Sequence, residues 1–182
     1  IAISDLILSE EEEPVKELDA VCNLGYEALE PLHDLLKSPT FYEPLAPGYG
    51  LAPSRAATCL GNIKSPDSLP ILLSAIGLQS FSTDEAIIDA MRCYEEEARE
   101  YLHQSVQNMP YGNLNLSAAM ILSSLQPSEQ TAEIALSLLK KPELRAHEAF
   151  LSYLILTLEG LEDSKLRDEA ASLGPQLTQM LQ

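Results

Sequence analysis

The chain has no tryptophan, and only three phenylalanines and seven tyrosines stand among its 182 residues. A core must therefore be built from Leu, Ala and Ile, which suits close-packed helices. Basic residues are also scarce: eleven Lys and Arg face twenty-eight Asp and Glu, a net charge of −17. Such a field repels phosphate backbones and anionic membrane surfaces, so neither nucleic acid nor membrane is an expected partner. A protein with a basic surface would be attracted, although an acidic surface also serves plain solubility. No apolar run approaches the ~20 residues of a membrane span. Asp5 followed by Glu10–Glu13 is no signal-peptide pattern. The first residue is Ile1 rather than Met, from which a fragment of a longer chain is expected.

Three cysteines, Cys22, Cys59 and Cys93, cannot form a full disulfide set. Each lies among apolar residues of an expected first-of-pair helix. They read as buried small hydrophobes in a reducing, cytoplasmic compartment. A catalytic thiol would need a nearby base and an exposed, positive setting, and nothing in the sequence supplies one. P-loop, G-x-G-x-x-G, H-E-x-x-H, C-x-x-C and nucleophile-elbow motifs are missing too.

What is present is a degenerate repeat. Residues 54–77 read SRAATCLGNIKSPDSLPILLSAIG: a short apolar helix, a Gly-Asn/Ser-Pro-Asp break, and a second apolar helix. The same grammar recurs at Leu18–Pro39, Asp84–Pro110, Asn115–Pro142 and, less cleanly, Pro142–Leu181. A period of roughly 30 residues signals stacked helix pairs. The hydrophobic fraction of 46% is enough to bury their inner faces.

The first helix is expected to start near Pro14, with Glu10–Glu13 complementing its N-terminus and Val15, Leu18, Val21, Cys22 and Leu24 on one apolar face. A second helix over Tyr26 to Lys37 carries Leu29, Leu32, Leu35 and Leu36 inward. Pro39, Pro44, Pro47 and Pro53, with Gly48 and Gly50, exclude a regular helix over residues 38–53. That long stretch holds Phe41, Tyr42 and Tyr49, and reads either as a binding loop or as a cover over the seam between repeats. The next pair is Arg55–Ile63 and Ser68–Ile76, with Ser65 or Asp67 as N-cap and Leu72 in the core. Asp84 caps a helix through Tyr94, and Glu95–Val106 follows with Ala98, Leu102 and Val106 inward. Leu114–Leu125 and Ser128–Lys140 form the fourth pair. Glu143–Leu158 and Asp163–Leu181 end the array, the last helix kinked or split at Gly174-Pro175.

On these residues a resemblance can be named. The run from Arg55 to Ile76 resembles a HEAT-like repeat of the short kind found in phycobilisome-lyase-type proteins, and LGYEALEPL from Leu24 to Leu32 fits the same register. The resemblance covers most of residues 14–140 and weakens beyond. It implies an all-α, right-handed α–α superhelix, a HEAT-like or ARM-type solenoid of about five helix pairs forming one domain over residues 1–182. The clearest repeats are 14–38, 54–77, 84–108 and 114–141, with a divergent pair at 142–182. Members of this class include scaffolds, assembly factors and bilin lyases, so fold specifies function weakly.

In such folds the second helices of each pair line the concave face. Carried over, this makes Glu30, Asp34, Lys37, Ser74, Glu97, Glu100, Gln104, Glu129 and Glu133 candidates to border a groove. Glu95-Glu96-Glu97 reads as a solvated helix start or a docking patch for basic residues. Glu30–His33 and Glu100–His103 are E-x-x-H pairs, the spacing used by di-metal bundles. Lying in repeats one and three, about two helix spacings of ~8–10 Å would separate them, too far for one site. His147 is alone on its helix. The partner-binding set is therefore Phe41, Tyr42, Tyr49, Glu30, Asp34, Glu96, Glu97, Glu100, Gln104 and Glu133. No catalytic residue, metal ligand or cofactor is assigned. The expected function is a non-catalytic protein-interaction scaffold or adaptor; a HEAT-fold enzyme, a lyase-like assembly factor, or a structural domain of a longer chain are the alternatives.

Overall fold

A computed structural model of the protein describes every residue except Glu12, Leu78, Gln79, Glu162, Leu181 and Gln182, together with the side chains of Ser164 and residues 175–180. Among the described residues there are eleven α-helices, joined by turns and four short 3-10 segments, and no strand. The helical, Leu- and Ala-built fold expected from composition is the fold observed. Backbone contacts gather the chain into two compact units, Ile1–Ala98 and Arg99–Gln182. No helix among the described residues is long and apolar enough to cross a membrane.

The first unit begins with a helix that periodicity did not reveal, α1 (Ala2–Leu8), whose Leu6 is fully buried. Then come α2 (Val15–Cys22), α3 (Leu29–Lys37), α4 (Ala52–Ile63), α5 (Leu69–Ala75) and α6 (Phe81–Cys93). The division falls within α7 (Glu96–Gln107); α8 (Asn113–Ser124), α9 (Glu129–Leu139), α10 (Glu148–Leu156) and α11 (Ser164–Met180) complete the second unit. The apolar spacing works as helix periodicity requires. Leu32, Leu35 and Leu36 of α3, Leu69, Leu72 and Leu73 of α5, and Ala98, Leu102 and Val106 of α7 are all buried.

Several boundaries differ from expectation for identifiable reasons. The helix assigned to Tyr26–Lys37 opens as a 3-10 turn over Gly25–Ala28, and Leu29 is only half-buried. On α2, Val21 is buried, but Val15 is 57% exposed and Leu24, just past the helix end, 40%. Helix α4 starts at Ala52, ahead of the expected Arg55, because Pro53 sits in the first turn, where no N–H is needed. Neither Ser65 nor Asp67 caps α5. Helix α6 begins at Phe81 rather than at Asp84, whose carboxylate instead accepts the Gly77 N–H at 2.8 Å. The stretch read as one helix from Glu143 is a 3-10 turn over Pro142–Leu144 followed by α10. Helix α11 runs on through Gly174-Pro175 to Met180. The proline removes only the donor to the Ala171 carbonyl, and Ala171 is exposed, so water can replace it. The expected end at Leu181, like Glu12 of the acidic run, lies outside the described residues.

The helix ends are held by side chains from elsewhere in the chain. The last carbonyls of a helix have no partner within it. Arg55, 5% exposed, donates to the carbonyls of Leu6 (2.8 Å), Ser9 (3.0 Å) and Glu11 (2.7 Å) and so ties α1 down. Tyr42 donates its hydroxyl to the Leu36 carbonyl at the end of α3 (2.8 Å), and Tyr94 reaches the Leu60 carbonyl in the last turn of α4 and the Ser65 carbonyl beyond it (both 3.0 Å). Asn115 gives its amide to Ser105, Val106 and Asn108 at 3.1, 3.1 and 2.6 Å around the end of α7. Gly61 in turn lets α4 approach α6: a Cβ there would lie 2.7 Å from the Ala90 Cα. Gly48, at φ +84, brings the long loop against α1, where a Cβ would meet the Ile7 carbonyl oxygen at 2.2 Å.

Candidate interaction surface

Three first-of-pair helices of the N-terminal unit enclose a groove of about 540 Å³. Its floor is the outer stripe of α4, Ser54, Thr58 and Asn62, spaced four residues apart. That spacing exists because the other faces of α4 are committed: Ala52, Ala56, Ala57, Cys59 and Leu60 are buried. One wall is Pro14, Val15 and Leu18 from the start of α2; the other is Ser82, Glu85, Ala86, Asp89, Ala90 and Cys93 from α6. Thr58, Asn62, Glu85 and Asp89 are exposed, so the groove opens to solvent along its length.

The hydroxyls on the floor are already spent. Ser54 donates to the Leu51 carbonyl (2.8 Å) and Thr58 to that of Ser54 (3.1 Å), the back-bonding usual for such residues in helices. At the rim stand Glu13, Glu85 and Asp89, the last in an exposed i,i+3 pair with Arg92 at 2.5 Å. The Arg55 guanidinium lies at the base, its charge shared among three carbonyls; burial lowers its pKa and the Glu17 carboxylate opposes that. Nothing here is arranged as an activated nucleophile and base.

The cysteines do sit on the first helices, as expected, but only Cys59 is buried; Cys22 and Cys93 are half-buried. Burial pushes the Cys59 thiol well up, with Cys22 beside it adding to the effect, so it stays protonated and inert. Both E-x-x-H imidazoles have hydrogen bonds: His33 Nε2 with Ser68 Oγ (2.9 Å), and buried His103 Nε2 with Thr131 Oγ1 (2.8 Å). Burial lowers the His33 pKa, with Lys37 adding and Asp34 and Asp67 opposing. His147 stacks on Tyr111 at 3.7 Å between ring centroids. Among the described residues no group of three or more His, Cys, Asp or Glu could hold a metal ion.

None of the residues expected from sequence lines this groove. Glu30 and Asp34 are exposed on α3, Glu96, Glu97, Glu100 and Gln104 on α7, and Glu133 on α9. Gln104 borders a separate, polar cavity of about 680 Å³ in the second unit, with Tyr101, Asn108 and Asn115. In the long loop Phe41 and Tyr42 are half-buried and Tyr49 is 64% exposed. Burial pushes the Tyr42 phenol up to about 12, the Asp84 carboxylate adding to it, which fits a hydroxyl locked on a helix end. The groove's own signal was legible in principle: a polar stripe at i, i+4, i+8 on an otherwise apolar helix, facing Glu85 and Asp89 at i, i+4.

Comparison with known proteins bears on α4 and α5 alone. A family model described as PBS lyase HEAT-like repeat matches residues 53–77. No curated protein and no solved structure matches the chain. The chain thus carries a HEAT-like repeat within an all-α fold of helix pairs.

Proposed function

We propose that the protein is a non-catalytic interaction scaffold or adaptor whose acidic surface receives another protein with a basic surface. The observation that carries this reading is the charge of the N-terminal unit: residues 1–98 hold eighteen acids and five bases, a net charge of −13. Glu30, Asp34, Glu85, Asp89, Glu96 and Glu97 project this charge from exposed positions. Phosphate backbones and anionic lipid are repelled by such a field, while a basic protein is drawn in. Three free thiols fit a reducing, cytoplasmic setting.

The test is affinity capture from native lysate at low and high salt, read by mass spectrometry. A stoichiometric partner that salt releases supports the reading; an empty capture removes it. Reversing Glu96, Glu97 and Glu100 to Lys together should weaken that partner and flatten its salt dependence. Unchanged affinity takes the start of α7, and with it Gln104, out of the contact surface.

A second reading is favoured by the match over residues 53–77: a lyase-type or chaperone-like assembly factor. It requires a bound small molecule, which absorbance or mass spectrometry of the pure protein under native conditions would reveal.

A further inference from the structure

We propose that the groove over α4 docks an amphipathic helix of the partner protein, with small apolar residues laid along Ser54, Thr58 and Asn62 and Lys or Arg on its flanks. The proposal rests on the scaffold reading and assigns it a site on the first helices.

The floor is suited to apolar cover. Because the Ser54 and Thr58 hydroxyls are bonded to their own helix, covering them strands no donor. Val15 and Leu18 supply apolar wall, and Val15, at 57% exposure, is a large apolar side chain with little cover of its own. From Ser54 to Asn62 the stripe runs eight residues of helix, ~12 Å. That is a little over two turns, the reach of an i, i+4, i+7 set of anchors in helix-in-groove recognition. Ala86 on the α6 side is small and half-buried, so the partner backbone can come close.

The rim fixes the flanks. Glu85 and Asp89 stand one turn apart on the same face of α6, and Glu13 faces them from the α2 side. Two basic residues at i, i+4 on a docked helix would match the α6 pair, since such residues are ~5–6 Å apart. A second copy of this chain is a poor occupant, because each copy carries −17. An added strand has no edge to pair with among the described residues.

The probe is a labelled synthetic amphipathic helix of about twelve residues, ~18 Å long, Ala and Leu on one face and Lys beside it. Binding is read by anisotropy at near-physiological salt, and by mass-resolved iodoacetamide alkylation of Cys93, at the groove wall, with and without the peptide. Thr58→Trp fills the floor without changing charge, and Glu85→Lys with Asp89→Lys reverses the rim. Glu143→Lys with Glu148→Lys makes the same charge change at exposed positions of the other unit. The groove variants should each weaken binding roughly tenfold, as loss of a central anchor does, and the control pair by less than about threefold. Cys93 should be protected by the peptide.

Equal losses in groove and control variants, or an unprotected Cys93, would mean that the net charge holds the peptide. That overturns the site and leaves the scaffold reading to the lysate capture. No binding by the unaltered protein also overturns the site, as does self-association that Thr58→Trp abolishes, which would make a second copy the occupant. Because Thr58 is exposed, circular dichroism should show the variant folded; should it not fold, the rim pair carries the test alone.

Discussion

The two units solve the same problem, how to close the seams between short helices, with different materials. In residues 1–98 one helix seam is backbone to backbone, Gly61 on α4 against Ala90 on α6, beside the Arg55 and Tyr94 ties at helix ends. In residues 99–182 the seams rest on buried polar groups, the Asn115 amide on three carbonyls and His103 on Thr131. Charge divides them as well. Against −13 in the first unit, the second has ten acids and six bases, −4. A small residue at a contact lets helices pack closely without any need for matched polar geometry. A buried amide fixes one register, because any other leaves it unsatisfied. The first unit combines this packing with the larger share of the net charge; the second is the more nearly neutral of the two.

Truncation of the apolar core should have the largest effect. Leu72→Ala, at a fully buried position of α5, should cost roughly 2–5 kcal/mol in urea unfolding. Less than about 1 kcal/mol would place the stabilising contacts of the first unit elsewhere. Asn115→Ala tests the polar seam directly. It strands carbonyls around the end of α7 and should cost about 2–3 kcal/mol. It should also speed amide exchange at the end of α7 and the start of α8; if exchange is unchanged, the amide is not what fixes that register.

Gly61→Ala probes the backbone seam. Its Cβ would lie 2.7 Å from Ala90 Cα and 2.9 Å from Ala90 Cβ, neither at the end of a flexible side chain, so about 1–3 kcal/mol should be lost to overpacking. Ala90→Gly removes only the Ala90 Cβ and leaves the 2.7 Å approach to the Cα, so the double variant should recover part of the loss; full recovery would refute the backbone contact.

The smallest effect concerns pH. Burial lowers the His33 pKa from 6.5, so the folded state resists protonating it. Its contribution is then fully present above 6.5 and declines as pH falls below that value. His33→Gln should flatten the dependence of the urea midpoint between about pH 7 and about pH 5, the range where an imidazole changes charge. An unaltered slope would assign that dependence to other groups.

Helix pairs were legible because their apolar residues recur at three- and four-residue spacing, strong enough to place Leu72, Ala98, Leu102 and Val106 in the core. Helix α1 was not. Its seven residues bury only Leu6, too little pattern to stand out, and its anchor, Arg55, comes from α4. The ties at the ends of α3, α4 and α7 were hidden for the same reason, since Tyr42, Tyr94 and Asn115 serve helices other than their own. The expected N-caps at Ser65 and Asp67 were misplaced because 3-10 turns and distant side chains do the terminating work.

Periodicity, Pro and Gly placement and net charge are all carried by the linear order, and these were enough to read an all-α chain of paired helices with a net charge of −17. Which polar residues converge depends on how the helices pack. The rotation of each helix about its axis, and the depth to which Gly61 lets α4 sink against α6, put Ser54, Thr58 and Asn62 between Val15 on one side and Glu85 and Asp89 on the other. Rotation and depth follow from the fit of whole surfaces, which local spacing along the chain does not encode.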